Sequence, residues 1–304
     1  MRVFVTGATG FIGSAVVPEL LEAGHEVVGL ARSDAGAAAL ASAGAEVHRG
    51  ELNDLDSLRR GAEASDGVIH LAYIHDFSQW EDSARIDRRA IETLGTALEG
   101  SGRPLVIASG TSGGVPGRVA TEDDQRDPDS PLSPRGATGD MTIALAERGV
   151  RSVVLRLPPT VHGEGDHGFI PAVVATARAK GVSAYIGDGT NRWAAVHRLD
   201  AARLFRLAVE TAPPGSVLHG VGDEGVPVGQ IAEVIGRHLD LPTASISREE
   251  ADDHFGWLAN ILAMDVPASS ALTQERMGWT PTQQGLIADL DQGHYFETAQ
   301  PATA

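Results

Sequence analysis

Short apolar runs alternate with segments of helical period through the first half of the chain. Val3, Phe4 and Val5 form a continuous apolar run that reads as a buried strand over 2–6. Comparable runs predict strands over 26–31, 45–49, 67–71, 104–109 and 151–157. An apolar-periodic helix is predicted over about 11–23, and another over 84–99, where Ile86, Ala90, Leu94 and Leu98 recur at helical spacing. This alternation predicts an α/β fold with a doubly wound parallel sheet. Past residue 157 the chain is expected to pass between two lobes. Residues 1–157 with about 191–220 make the core, and about 158–190 with 221–304 make a smaller C-terminal substrate-binding α/β cap. Cap helices are predicted near 169–179 and 227–239, with a helical turn over 272–277. The acidic, proline-containing stretch from Thr121 to Pro134 reads as a loop at the mouth of the site, and the tail from Glu297 as frayed.

The link between the first strand and the first helix carries the chemistry. Gly7, Gly10 and Gly13 recur at three-residue spacing. The first permits a tight turn off the strand, the second lets backbone approach a pyrophosphate, and the third lets the helix pack close to the strand. Thr9, Phe11 and Ile12 belong to the same turn, and the helix N-terminus behind it offers amide groups to phosphate. With a strand before, a helix after and a second strand at the right distance, the turn predicts a dinucleotide site. Pro18 lies inside the helix and is expected to kink it or remove one backbone bond. The second strand ends in Ala31-Arg32-Ser33, with no carboxylate there for an adenosine 2′-hydroxyl. Arg32 instead presents a permanently charged fork suited to a phosphate, so NADP(H) is expected over NAD(H). Glu22 and Glu26 are not at the strand end and are poor ribose ligands.

With these motifs in order, the chain resembles an extended short-chain dehydrogenase/reductase of the NAD-dependent epimerase/dehydratase type. The resemblance rests on Gly7–Gly13, Gly50-Glu-Leu-Asn-Asp54, His70-Leu-Ala72, Ser109-Gly-Thr-Ser112 and Leu155-Arg-Leu-Pro-Pro-Thr-Val-His-Gly163. Val196-His-Arg-Leu-Asp200 and Met277-Gly-Trp-Thr-Pro281 continue it across nearly the whole chain. It implies a Rossmann core in which Glu51 and Leu52 lie along the adenine. It also implies that Leu71, Ala72 and Tyr73 lie along the pyrophosphate and nicotinamide ribose, with Pro158 against the cofactor. Thr111 matches the residue that hydrogen-bonds the substrate oxygen. A homodimer through two long core helices is a further implication.

The departures matter as much. Most family members work through a Tyr-x-x-x-Lys pair, whereas the only lysine here is Lys180, and Thr176 stands four places before it. By the resemblance Arg135 takes the tyrosine slot, Gly139 the lysine slot, and His162 replaces a tyrosine. An unperturbed phenol titrates near ~10, so the family's lysine is what makes it a usable base. Proton transfer typically contributes about 10²–10⁴-fold, which this chain must recover elsewhere or forgo. Tyr73, His75 and Asp76 follow the fourth strand and offer substitutes, His75 as an acid to a nascent alkoxide; a loop-capping His75 is the plain alternative. Arg135 stays protonated and is a poor proton donor, and a solvated loop cation accounts for it. The Glu164-Gly-Asp-His-Gly168 stretch lacks metal-ligand spacing and reads as a loop over the nicotinamide. Arg192 and Trp193 are candidate substrate contacts, although a tryptophan is more often buried packing.

Composition narrows the classes. A net charge of −17 argues against nucleic acid and anionic membrane as partners. The chain has 0 cysteines, hence no disulfide, thiolate nucleophile or sulfur-held metal. No apolar run reaches a membrane span and no leader precedes the first strand, so a cytoplasmic, bacterial-type protein with a small-molecule substrate is expected. The leading reading is an NADP(H)-dependent oxidoreductase acting on a small organic carbonyl, alcohol or activated double bond. A non-catalytic NADP(H) sensor is the alternative. A sugar-nucleotide epimerase or dehydratase conflicts with the missing pair.

Overall fold

The computed structural model describes residues 1–74, 80–111, 117–125 and 133–297. The strands are β1 (Arg2–Thr6), β2 (Glu26–Ala31), β3 (Glu46–Arg49), β4 (Gly67–His70), β5 (Pro104–Gly110), β6 (Arg151–Leu157), β7 (Thr160–His162), β8 (Ser183–Ile186), β9 (Arg192–His197), β10 (Ser216–His219), β11 (Asp223–Pro227) and β12 (Thr243–Ile246). The helices are α1 (Gly13–Glu22), α2 (Asp34–Ser42), α3 (Leu55–Glu63), α4 (Trp80–Leu98), α5 (Ser133–Ala144), α6 (Phe169–Lys180), α7 (Arg198–Thr211), α8 (Val228–Leu239), α9 (Arg248–Phe255), α10 (Ala259–Leu262), α11 (Ala271–Met277) and α12 (Leu286–Asp291).

Seven strands form one parallel sheet in the order β10-β6-β5-β4-β1-β2-β3. The order reverses at β1, where chain segments leave in opposite directions and open a crevice at the carboxyl ends of the strands. Both faces are covered, which is why the strands read as continuous apolar runs rather than alternating ones. Val3 and Val5 pack with Val16, Val17 and Leu20 of α1 and Leu204 and Phe205 of α7. On the opposite face, Phe4 and Val28 pack with Leu58 of α3 and Ile91, Leu94 and Leu98 of α4. Phe4 and Leu94 are fully buried, each contributing about 1.5–3 kcal/mol of transfer free energy.

The six strands predicted for the core all form, and a seventh, β10, joins them at the edge. Of the returning segment, α7 packs on the face of this sheet and β10 joins its edge. By contrast β9 pairs with β7 and β11 in a separate three-stranded sheet, and β8 pairs with β12. A second core under these small sheets joins Ile170, Val174, Trp193, Ile231, Ile235, Leu286 and Leu290. Helix α5 begins at Ser133, inside the stretch read as loop; Pro134 is tolerated there because the first helical turn has no intrahelical partner for its missing N–H. Pro18 sits within α1, which continues through it to Glu22 with Pro18 facing solvent. Among the described residues, no helix is long and apolar enough to cross a membrane.

Helices α1 and α7 lie side by side in the same sense. Arg206 Nε donates to Glu19 Oε1 at 2.7 Å, and His25 Nε2 lies 2.8 Å from Glu210 Oε1, so positions advance together along both helices. Their amino ends therefore emerge at the same edge, beside the glycine turn.

Candidate functional site

The glycine turn is fixed by contacts that leave no room for side chains. Gly7 has φ +66°, and a Cβ there would lie 2.6 Å from the Ala72 amide nitrogen. At Gly13 a Cβ would lie 2.1 Å from the Gly7 carbonyl oxygen. The turn closes by donation from Gly10 N to Gly7 O at 2.9 Å. Ile12 caps α1 with no side-chain hydrogen bond, and no acidic residue stands in the first turn. The amides of Phe11, Ile12 and Gly13 bond no described residue. A helix start of this kind, uncapped and free of carboxylates, suits an anionic diphosphate. The residues present thus fit a dinucleotide.

The partner side of the turn is held by a buried polar network that the sequence did not announce. His70 Nε2 lies 3.1 Å from Asp87 Oδ1, and His70 Nδ1 lies 2.8 Å from Thr6 Oγ1. A neutral imidazole donating to the carboxylate accepts at its other nitrogen, so the Thr6 hydroxyl donates to Nδ1. The same oxygen accepts from Ala72 N at 3.3 Å. Asp87 on α4 thereby fixes the backbone of Leu71 and Ala72 against Gly7.

At the far end of the crevice, a hollow of about 500 Å³ is lined by Ala31, Arg32, Ser33, Asp34, Arg49, Gly50 and Glu51. The predicted adenosine-side residues Arg32, Ser33 and Glu51 meet here; Leu52, half-buried, is the next residue along the chain. Ser33 caps α2, its hydroxyl accepting from Gly36 N at 3.1 Å. Arg49, which sequence reasoning passed over, is ion-paired to Asp34. That pairing engages the Asp34 carboxylate, while exposed Arg32 has neither hydrogen bond nor ion pair among the described residues.

The substrate-side residues follow the carboxyl ends of adjacent strands. Tyr73 lies just past β4, Thr111 just past β5 and Pro158 just past β6, and the parallel pairing of these strands sets them side by side. Thr111 is buried, with its amide donating to Leu157 O at 2.8 Å, and its hydroxyl bonds no described residue. His75 and Asp76 lie outside the described residues. The side chain of Arg135, in the first turn of α5, is likewise outside what is described. Gly139 faces the sheet, where a Cβ would meet Val154 Cγ1 at 3.6 Å.

The loop from Gly163 to Gly168 reaches the turn from the other side. His167 meets the edge of the Phe11 ring with centroids 5.8 Å apart, and the Arg198 guanidinium lies 5.2 Å from the same centroid. Asp166 accepts from Gly168 N at 2.7 Å and from the Tyr295 hydroxyl at 3.1 Å. Burial lifts the Asp166 carboxyl above its ordinary range against those two hydrogen bonds, and burial beside Asp166 raises the Tyr295 phenol as well. His162 is buried, with Nδ1 donating to Asp289 Oδ2 at 2.9 Å, so it supports the loop from beneath. The two substrate candidates of the cap are committed elsewhere. Arg192 forks onto Asp265 through Nε at 3.1 Å and a terminal nitrogen at 2.8 Å, and Trp193 is wholly buried against Phe169. Asp87, Asp289 and Tyr295 carry no local sequence signal, because each acts on a residue many positions away.

Comparison with known proteins agrees with this geometry. The profile of the NAD dependent epimerase/dehydratase family matches residues 3–219. An uncharacterized protein of Schizosaccharomyces pombe is 51% identical over 297 residues, covering 97% of this chain and 100% of that protein. A fungal relative this similar lends no support to the bacterial origin expected above. The 2-alkyl-3-oxoalkanoate reductase of Stenotrophomonas maltophilia is 25% identical over 229 residues, covering 72% of this chain and 68% of that protein. Among solved structures, MoeE5 in complex with UDP-glucose and NAD is 28% identical with a TM-score of 0.75, covering 95% of this chain and 96% of that one.

Proposed function

Since the chain belongs to the NAD dependent epimerase/dehydratase family, we propose that it is an NADP(H)-dependent oxidoreductase acting on a small organic carbonyl, alcohol or activated double bond. The observation that carries this reading is the glycine turn, pressed on Ala72 and leading to a hollow lined by Arg32, whose guanidinium has no ion pair among the described residues. A dinucleotide seated there supplies the hydride; the protein's own work is to hold it, orient the acceptor and exclude water.

The proposed roles follow from placement. Gly7, Gly10 and Gly13 bring backbone to the diphosphate, Arg32 and Ser33 take the 2′-phosphate, and Glu51 and Leu52 border the adenine. Leu71, Ala72, Tyr73 and Pro158 line the nicotinamide end. The Thr111 hydroxyl, which bonds no other described residue, hydrogen-bonds the substrate oxygen as charge develops on it. Tyr73 and His75 are proposed for proton delivery, since no Tyr-x-x-x-Lys pair is present. The relative named as an oxoalkanoate reductase supports a carbonyl substrate. The likeness to a sugar-nucleotide enzyme supports the cofactor class, while the missing pair weighs against reversible epimerisation.

That same missing pair favours one second reading, an NADP(H)-binding sensor without turnover. One experiment separates them: the pure protein is mixed with NADPH and a panel of ketones, quinones and enones, and nicotinamide absorbance is followed. Turnover on any panel member supports the enzyme, and tight NADPH binding with none supports the sensor. Failure to bind either coenzyme sinks both.

A further inference from the structure

We propose that Arg198 is a positioning residue for the cofactor: its guanidinium holds the dinucleotide's diphosphate against Phe11, on the side opposite the amides of α1. This rests on the reading that the glycine turn binds a dinucleotide.

Arg198 is the first residue of α7, whose amino end emerges beside that of α1. Its stem packs on Gly163, where a Cβ would lie 3.3 Å from Arg198 Cγ and 3.5 Å from Cδ; a side chain at that position would displace it. The head stands over the Phe11 ring, and His167 closes the adjoining edge of the same ring. The guanidinium is thus caged between the loop that starts at Gly163 and the turn, and Phe11 belongs to the turn itself.

Neither carboxylate of that loop is ion-paired to the guanidinium: Asp166 is held by Gly168 N and the Tyr295 hydroxyl, and Glu164 is exposed. Arg198 is half-buried and has no hydrogen bond or ion pair among the described residues. Most arginines of this acidic chain are paired: Arg192 with Asp265, Arg203 with Asp200, Arg206 with Glu19 and Glu210. A cation in the first turn of a helix also stands at the positive end of the macrodipole, where it is unfavourable. Asp200, the acid of that first turn, is occupied by the amides of Thr282 and Gln283 and by Arg203. A half-buried cation with no anionic partner among the described residues, at the wrong end of its helix, is the signature of a group awaiting an anion. A guanidinium matches a phosphate bidentately. The chain has no lysine to offer instead, since Lys180 is bound to the Asp253 carbonyl.

The test compares Arg198→Met and Arg198→Lys with the unaltered protein by calorimetry, using NADPH, ADP-ribose 2′-phosphate and adenosine 2′-monophosphate, which lacks the diphosphate. Arg198→Met should weaken the first two ligands about 10–100-fold, the range of one charge-assisted hydrogen bond. Adenosine 2′-monophosphate should bind as before, and Arg198→Lys should recover part of the loss. Without ligand, the melting temperature of Arg198→Met should be unchanged or higher, because an unpaired cation has been removed. Equal losses for all three ligands, or unchanged NADPH affinity, would overturn the proposal while leaving the dinucleotide reading intact. A drop in unliganded stability matching the affinity loss would also overturn it, showing that the arginine is structural. If the unaltered protein binds none of the three, both readings fall together.

Discussion

Gly7→Ala gives the sharpest test of how the site is built. The added methyl would lie 2.6 Å from Ala72 N and 2.8 Å from the Leu71 carbonyl carbon. Neither atom can retreat, because Leu71 N is bonded to Thr6 O in the sheet and Ala72 N to the Thr6 hydroxyl, itself braced by His70 and Asp87. Holding a non-glycine residue at φ +66° costs about 1–2 kcal/mol. Overpacking against backbone costs about 1–3 kcal/mol more, for a total of about 2–5 kcal/mol. Gly24→Ala is the internal control: it also sits at positive φ, +82°, but a Cβ there meets nothing within 4 Å. Only the conformational part should appear in that variant. Urea unfolding measures both. With a slope on the order of 3 kcal/mol/M, the Gly7→Ala midpoint should fall about 0.7–1.7 M and that of Gly24→Ala only about 0.3–0.7 M. NADPH affinity should drop for Gly7→Ala alone. Matching midpoint shifts for the two variants, with NADPH binding intact in both, would refute the claim that the turn and β4 are locked together.

Arg32→Ala should weaken NADPH by about tenfold or more and leave NADH unchanged, the loss being that of one charge-assisted contact partly screened by solvent; equal losses in a fluorescence titration would remove the proposed specificity. Thr111→Val should lower kcat on whichever carbonyl is turned over by about a hundredfold, with cofactor affinity preserved, and an unaltered kcat would take Thr111 out of the chemistry. Burial, aided by the nearby Arg156, holds the His219 imidazole below its ordinary range against Glu122, the Ser269 carbonyl and Asp124. The unfolded chain then binds a proton near ~6.5 that the folded chain refuses, so stability falls as pH drops through that value. His219→Gln should flatten the melting-temperature profile between about pH 7 and 5, and a slope equal to the parent's would assign the acid sensitivity elsewhere.

The sheet was legible because burial on both faces leaves its mark on every strand as an unbroken apolar run, and Gly7, Gly10 and Gly13 mark a turn that only glycine permits. Strand β10 was less visible. Ser216–His219 is four residues long, only half of them buried, and follows a turn that resembles a surface loop. The pairing of β9 with β7 and β11 was equally hidden, since Trp193 to Val196 are buried whichever sheet they join. Hydrophobicity reports that a strand is covered and is silent on its neighbours.

The site divides along the same line. Residues whose role is backbone shape, such as Gly7 and Gly13, declare themselves by type and spacing. Residues whose role depends on what their neighbours have already consumed do not. Arg192 looked like a substrate contact until Asp265, 73 positions away, was seen to occupy its fork. Arg198 is an arginine like many others in this chain, and what distinguishes it is half-burial without an ion pair among the described residues, a property of the folded molecule. Free charge is found by subtraction, once every ion pair and carbonyl contact has been assigned. In a chain of net charge −17, whose overall field repels an anionic coenzyme, the proposed binding energy for phosphate comes from local groups: the amides at the start of α1 and the guanidinium groups of Arg32 and Arg198 that no described carboxylate engages.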